Sequence, residues 1–261
     1  MTFFGELRVF IKHILHWIFA FIACSFFFFS FGFKKIAILG KDYYLPMPSD
    51  NSFSAMVFNA AREDLLPPSV ELITTNPMSA FMSQITLSIL LSFLATAPFF
   101  IYRIIKYLYP ALHSHEKRAV LLSLLPLLFL FFSGSAFSYF FLIPTTFKTL
   151  YPYAENIGAA QFFSIDEFVY YVFGLMVAVG MMFLLPIFMV LLSFTKIIKA
   201  DFWKKRWKYA FLFFLIASAI ITPDGTGMTM VMLFVPLIVL YFIGYIFARK
   251  ADGRFNLKVA D

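Results

Sequence analysis

Six stretches of this chain, Ile14 to Phe33, Ser79 to Ile101, Ala119 to Ile143, Phe168 to Phe194, Tyr209 to Thr222 and Thr229 to Phe247, contain no Asp, Glu, Lys or Arg. Runs of that kind have few ways to fold. A hydrocarbon core about 30 Å thick takes roughly 20 helical residues to cross, and in lipid a helix satisfies all of its backbone polar groups internally. The pattern therefore predicts an all-α polytopic membrane protein with six transmembrane helices, forming one membrane domain over residues 1–261. Composition agrees: 62% of the residues are hydrophobic, only 13% are charged, and 39 are Phe, more than a globule of this size could hide from water. The run from Ile14 follows Arg8 and Lys12 as a signal peptide's would, but no A-x-A-like site follows Phe33, so it reads as a first anchor helix.

The fifth run, near 14 residues, is short for a bilayer of ordinary thickness. Either it extends through the amphipathic segment from Trp203 or the membrane thins beside it. Between the fifth and sixth runs, Thr222-Pro223-Asp224-Gly225-Thr226-Gly227 has turn chemistry at every position, which predicts a helical hairpin. Pro98, Pro126, Pro186 and Pro236 each remove a backbone hydrogen bond, so the bundle is expected to be curved and proline-kinked.

Basic loops resist translocation, so Lys and Arg placement sets the orientation. With both termini on the cytoplasmic side, the inner segments hold 16 of the 21 Lys and Arg, among them Arg8, Arg103, Lys106, Lys117, Arg118 and the group from Lys196 to Lys208. The outer segments hold Lys34, Lys35, Lys41, Arg62 and Lys148, with nine of the 14 acidic residues. The long first outer loop, Lys34 to Pro77, carries Pro46, Pro48, Pro67, Pro68 and Pro77. It is expected to form a structured cap with short helical pieces, Ser54 to Asp64 being helix-compatible.

Little in the chain suits covalent chemistry. The apolar cores hold no Asp, Glu, Lys or Arg that would mark a proton or ion path. His13, His16, His113 and His115 lack an HExxH pattern, an acidic pair at ligand spacing or a second thiolate, so neither a metal nor another cofactor is expected. Cys24 has no partner for a disulfide and reads as packing. No GxSxG, SxxK or phosphate-cradling glycine loop is present, which argues against an enzyme. A small-molecule transporter or permease would need a polar path, and the cores supply mainly Ser, Thr, Gln84 and prolines.

Two carboxylates remain on the inner face. Glu6 stands in Gly5-Glu6-Leu7-Arg8 and Glu116 in His115-Glu116-Lys117-Arg118, each an acid among bases. One reading of Glu116 is an interfacial ion pair with Lys117, Arg118 or Arg103, worth about 0–1 kcal/mol if exposed. The other is a receptor for a cationic ligand, since arginine–carboxylate pairing is planar, bidentate and stronger where water is excluded.

The order of these residues resembles the TatC family, the receptor subunit of the twin-arginine protein translocase. Glu6-Leu7-Arg8 resembles the family's E-L-R before its first helix. Ala97-Pro98 through Tyr102, then Tyr107, Pro110-Ala111-Leu112 and His115-Glu116-Lys117-Arg118, are similar to its second helix and first inner loop. Phe183-Leu184-Leu185-Pro186 resembles an F-E-x-P in the fourth helix, and Thr222-Pro223-Asp224 with Pro236 resembles the T-P-x-D…P of the last hairpin. The resemblance implies a plasma-membrane receptor for signal peptides with two consecutive arginines. Glu6, Arg8, Arg103, Tyr107 and Glu116 would form its peptide site, and Pro48, Pro98, Leu184 and Asp224 would serve structure or partner contacts. It also implies TatA-type and TatB-type single-span partners, assembly into homo- or hetero-oligomers, drive by the proton-motive force, and no nucleic acid. The chain departs from the pattern where Leu184 and Phe242 stand in place of family acids, Arg103 in place of Gln and Ile105 in place of Trp.

Overall fold

The computed structural model describes residues 3–38, 41–48, 52–67, 70–74, 76–108, 124–156, 158, 162–194, 198–222 and 227–258, without the side chains of 3–10, 13, 33–46, 104, 105, 107, 108, 154, 155 and 251–258. Helices dominate. They are α1 (Phe3–Ser30), α2 (Phe53–Leu65), α3 (Pro77–Leu108), α4 (Leu124–Phe137), α5 (Ile143–Asn156), α6 (Ile165–Phe183), α7 (Leu185–Phe194), α8 (Ala200–Lys205), α9 (Trp207–Ile221) and α10 (Met228–Lys258). A π-helical turn, Ser138–Leu142, joins α4 to α5 without interrupting the rod. Among the described residues, four helical segments are long and apolar enough to cross a membrane: Pro77–Arg103, Leu124–Tyr153, Ile165–Phe194 and Met228–Lys250. Two shorter apolar helices, Ile14–Ser30 and Trp207–Ile221, lie where the first and fifth crossings are expected.

The structure departs from the sequence expectation at the end of the first helix and excludes one of the two readings left open for the fifth. The first helix ends at Ser30, and Phe31–Ile38 (β1) pairs antiparallel with Lys41–Pro48 (β2), from Phe31 opposite Pro48 to Ile38 opposite Lys41. Gly32, Lys34 and Lys35 make a poor membrane helix, and cross-strand pairing satisfies the backbone there instead. Nor does the fifth helix extend unbroken through Trp203. Arg206, at φ −106° and ψ 15°, separates α8 from the 15-residue α9.

The chain divides into two compact units. The first comprises 1–103 and 150–177. In it Trp17 of α1 packs on Phe93 and Phe100 of α3, with centroids 6.3 and 4.5 Å away. The helical piece expected between residues 34 and 77 forms as α2, whose Ser54, Ala61 and Leu65 are buried on one face. Phe58 of α2 meets Phe168 of α6 edge to face at 5.6 Å. A short parallel pair, Glu71–Ile73 (β3) with Phe162–Ser164 (β4), ties the segment after α2 to the start of α6.

The second unit comprises 104–149 and 178–261. Glycine lets its helices approach closely, as in many membrane bundles. A Cβ on Gly134 would stand 2.7 Å from Phe183, one on Gly180 2.6 Å from the Ser135 hydroxyl, and one on Gly244 2.9 Å from the Pro186 Cα. Helices α9 and α10 lie side by side, with Phe211 against Phe234 at 4.7 Å and Phe214 against Tyr241 at 6.0 Å. Gly227 precedes α10 at φ +71°, a conformation that favours glycine.

Candidate functional site

Local sequence accounts for the placement of each candidate residue that the structure describes. Glu6 and Arg8 lie in the first turns of α1, two residues apart on one helix, their side chains outside the described residues. Arg103 sits near the end of α3 and is half-buried, its guanidinium 5.5 Å from the centre of the Phe99 ring one turn earlier. Such stacking orders a guanidinium at the end of the helix. Tyr107 is four residues further along α3, and its side chain is not described. Glu116 and Asp224 lie outside the described residues.

The structural candidates are clearer. Pro48 closes β2 opposite Phe31 and is exposed, at a strand end where a missing N–H costs nothing. Pro98 lies inside α3, half-buried, and deprives the Leu94 carbonyl of its helical donor. Leu184 is the single residue between α6 and α7. Its N–H donates to Met181 at 3.2 Å and its carbonyl accepts from Ile187 at 3.1 Å, both one residue tighter than α-helical spacing. Pro186, two residues on, is the local cause, since its ring disfavours helical geometry just before it.

Other polar side chains, not singled out by the sequence, cluster in the first unit. Ser52 caps α2, its Oγ accepting from the Ala55 N–H at 3.3 Å and from Gln84 Nε2 at 2.7 Å. Ser88, Ser92 and Thr96 follow on one stripe of α3, each donating to the carbonyl four residues earlier at 2.6–2.8 Å. That stripe is self-satisfied, which is how hydroxyls are accommodated in a membrane helix. Ser83 differs: its Oγ is buried without a hydrogen-bond partner among the described residues. It lines a cavity of about 160 Å³ with Ser54, Phe58, Gln84 and Ile165.

A second polar cluster ties the second unit together. Trp203 Nε1 donates to the buried Ser193 Oγ at 2.9 Å, and the Tyr241 hydroxyl donates to the Trp203 carbonyl at 2.7 Å. These bonds fasten α8 to α7 and α10. Sequence reading could not find them, because the three residues belong to different helices and only contact distinguishes them from interfacial aromatics.

No group of three or more His, Cys, Asp or Glu that could hold a metal ion occurs among the described residues. His16 Nδ1 stands 2.6 Å from the Lys12 carbonyl, a local helix bond.

Residues 3–236 match the family described as Sec-independent protein translocase protein (TatC). The Sec-independent protein translocase protein TatC of Cenarchaeum symbiosum is 32% identical over 233 residues, 89% of this chain and 88% of that protein. Its counterpart in Aquifex aeolicus is 33% identical over 205 residues, 76% of this chain and 85% of that protein. Among solved structures, the crystal structure of the twin-arginine translocase receptor TatC superposes with a TM-score of 0.74 at 29% identity, covering 94% of this chain and 99% of that one. The same receptor in DDM gives 0.75 over 93% and 99%.

Proposed function

Because the chain belongs to the TatC family of Sec-independent protein translocase proteins, we propose that it is the membrane receptor of a twin-arginine translocation system. It binds the signal peptides of folded proteins and passes them on for export. The observation that carries this reading is the likeness, over 94% of the chain, to the solved twin-arginine translocase receptor. The protein acts by binding and conduction, with no covalent step of its own.

Glu116 and Glu6 are the residues that grip the two arginines of an arriving signal peptide. Each guanidinium needs a carboxylate whose geometry matches its planar fork and whose site is partly shielded from water. Arg8, Arg103 and Tyr107 contact the same peptide, Tyr107 supplying an aromatic contact. Both termini face the cytoplasm across a plasma membrane, the arrangement that 16 of 21 basic residues on inner segments favours. TatA-type and TatB-type single-span proteins are the partners, with the proton-motive force as the drive. Leu184 and Phe242, where the family pattern has acids, lower the polarity available to those partners. A buried Glu is costly in lipid and would otherwise demand a polar partner. The contact here rests more on packing.

The test is export of a twin-arginine reporter in cells that depend on this protein. Glu116→Ala is expected to abolish export while the chain still inserts, and Glu116→Asp to retain part of it. Normal export by the Ala variant, at normal membrane levels, would overturn the assignment.

A further inference from the structure

The second unit carries a concentrated positive surface that the proposed peptide site does not use. Lys199, Lys204, Lys205, Arg206 and Lys208 fall within ten residues around α8 and are all exposed, with Asp201 the one acid among them. Their backbone is held, because Trp203 is bonded to Ser193 and Tyr241 and Ala200 is 3% exposed. Arg206, at the break between α8 and α9, has its guanidinium 5.2 Å from the Phe202 ring centre and 5.6 Å from that of Tyr209. Two aromatic faces therefore restrict its rotamers before any ligand arrives. Further along the unit, exposed Arg249 and Lys250 extend the charge, with Lys250 Nζ 5.9 Å from the Phe247 ring.

Next to this surface the chain changes character in a set order. Trp207 and Tyr209 are exposed at the start of α9, followed by exposed Leu212, Phe213, Ile216 and Ile220, the last 77% exposed. Cations, then amphipathic aromatics, then aliphatic side chains is the order of one bilayer leaflet, from headgroup phosphates through the interface to hydrocarbon. We infer that the surface around Arg206 is a binding site for the phosphate headgroups of anionic phospholipids, continuous with the lipid-facing side of α9. Arg206 presents a planar fork to a phosphodiester, and the lysines act as point charges around it. A zwitterionic headgroup would bring its own ammonium among those lysines, so an anionic lipid is the occupant the charges select.

The full chain, reconstituted in vesicles, tests this. Subtracting the fluorescence of the Trp207→Phe variant isolates the Trp207 signal, which is then quenched with brominated phosphatidylglycerol or brominated phosphatidylcholine. Phosphatidylglycerol is expected to win by about fivefold, the scale of roughly one interfacial charge. The preference should fall toward unity in a variant with Lys204→Gln, Arg206→Gln and Lys208→Gln, and survive Lys41→Gln, Arg62→Gln and Lys148→Gln. Should the first triple variant fail to fold, Arg206→Gln alone and salt near about 0.5 M, where screening falls to about 4 Å, should weaken the preference in the same direction. Equal quenching by the two lipids would overturn the inference. So would a preference that ignores the Arg206 group or is lost equally when Lys41, Arg62 and Lys148 are neutralised. Absent any lipid preference, capture of a polyglutamate peptide in zwitterionic vesicles would overturn it in favour of an acidic protein partner.

Discussion

At the scale of single residues, packing in the second unit separates glycines that must be glycine from one that need not be. At Gly244 a methyl group would meet the Pro186 Cα at 2.9 Å, and a backbone atom in a packed helix cannot step aside. A methyl group at Gly180 would meet the Ser135 hydroxyl at 2.6 Å and the edge of Phe131 at 3.0 Å, and a hydroxyl can rotate. Alanine also gains about 1 kcal/mol of helix propensity over glycine, which offsets a mild clash but not a backbone one. Gly244→Ala is therefore expected to cost about 1–3 kcal/mol through overpacking, and Gly180→Ala distinctly less. Thermal unfolding of the two variants in one detergent checks the ranking, and equal loss would contradict it. Leu184 carries the opposite lesson. Its hydrogen bonds and the nearby proline define a helix break that needs no acidic side chain.

At the scale of elements, α2 shows how a short helix is secured at its end and along its face. Its cap, Ser52, is also the acceptor for Gln84 on α3, 32 residues away, so one hydroxyl serves a helix end and a tertiary contact. Ser52→Ala removes the cap, worth about 1 kcal/mol, and leaves the Gln84 amide short of a partner at about 1–3 kcal/mol more. Gln84→Leu removes only the second contribution. The expected order of stability is wild type, then Gln84→Leu, then Ser52→Ala, read by chemical or thermal unfolding. A result in which Ser52→Ala is the milder change would show that α2 is held by its buried face alone. Helix α9 raises a different point. Its 15 residues span about 22 Å, less than a full hydrocarbon core, and the break at Arg206 keeps α8 from lengthening it.

At the scale of the whole molecule, the proposed orientation is open to a direct measurement. Reporter domains that are active on only one side of the membrane, fused after residue 258 and inserted at the exposed α2 residue Asn59, should report opposite sides, with the C-terminal one inside. Identical signals from both would contradict the proposed topology. Much of the fold was legible in the sequence. Six uncharged runs found six apolar helices, helix-compatible Ser54 to Asp64 became α2, and the resemblance built on scattered Glu, Pro and Tyr positions agrees with the family match over residues 3–236. Of the candidate site, Arg103 and the helical setting of Glu6, Arg8 and Tyr107 are described, while Glu116 and Asp224 lie outside the described residues.

What the sequence determined alone was everything that depends on solvent: that lipid surrounds this chain, how many apolar helices it makes and roughly where each lies, because those follow from the local density of charge and apolar surface. What only the tertiary structure decided were the features that need two distant segments at once. The β1–β2 hairpin takes over from the first helix because Phe31 finds Pro48, and Trp203 pins α8 because Ser193 and Tyr241 lie within reach. A hydrogen bond between remote residues leaves no periodic trace along the chain, so only the folded backbone, by bringing donor and acceptor within about 3 Å, could reveal it.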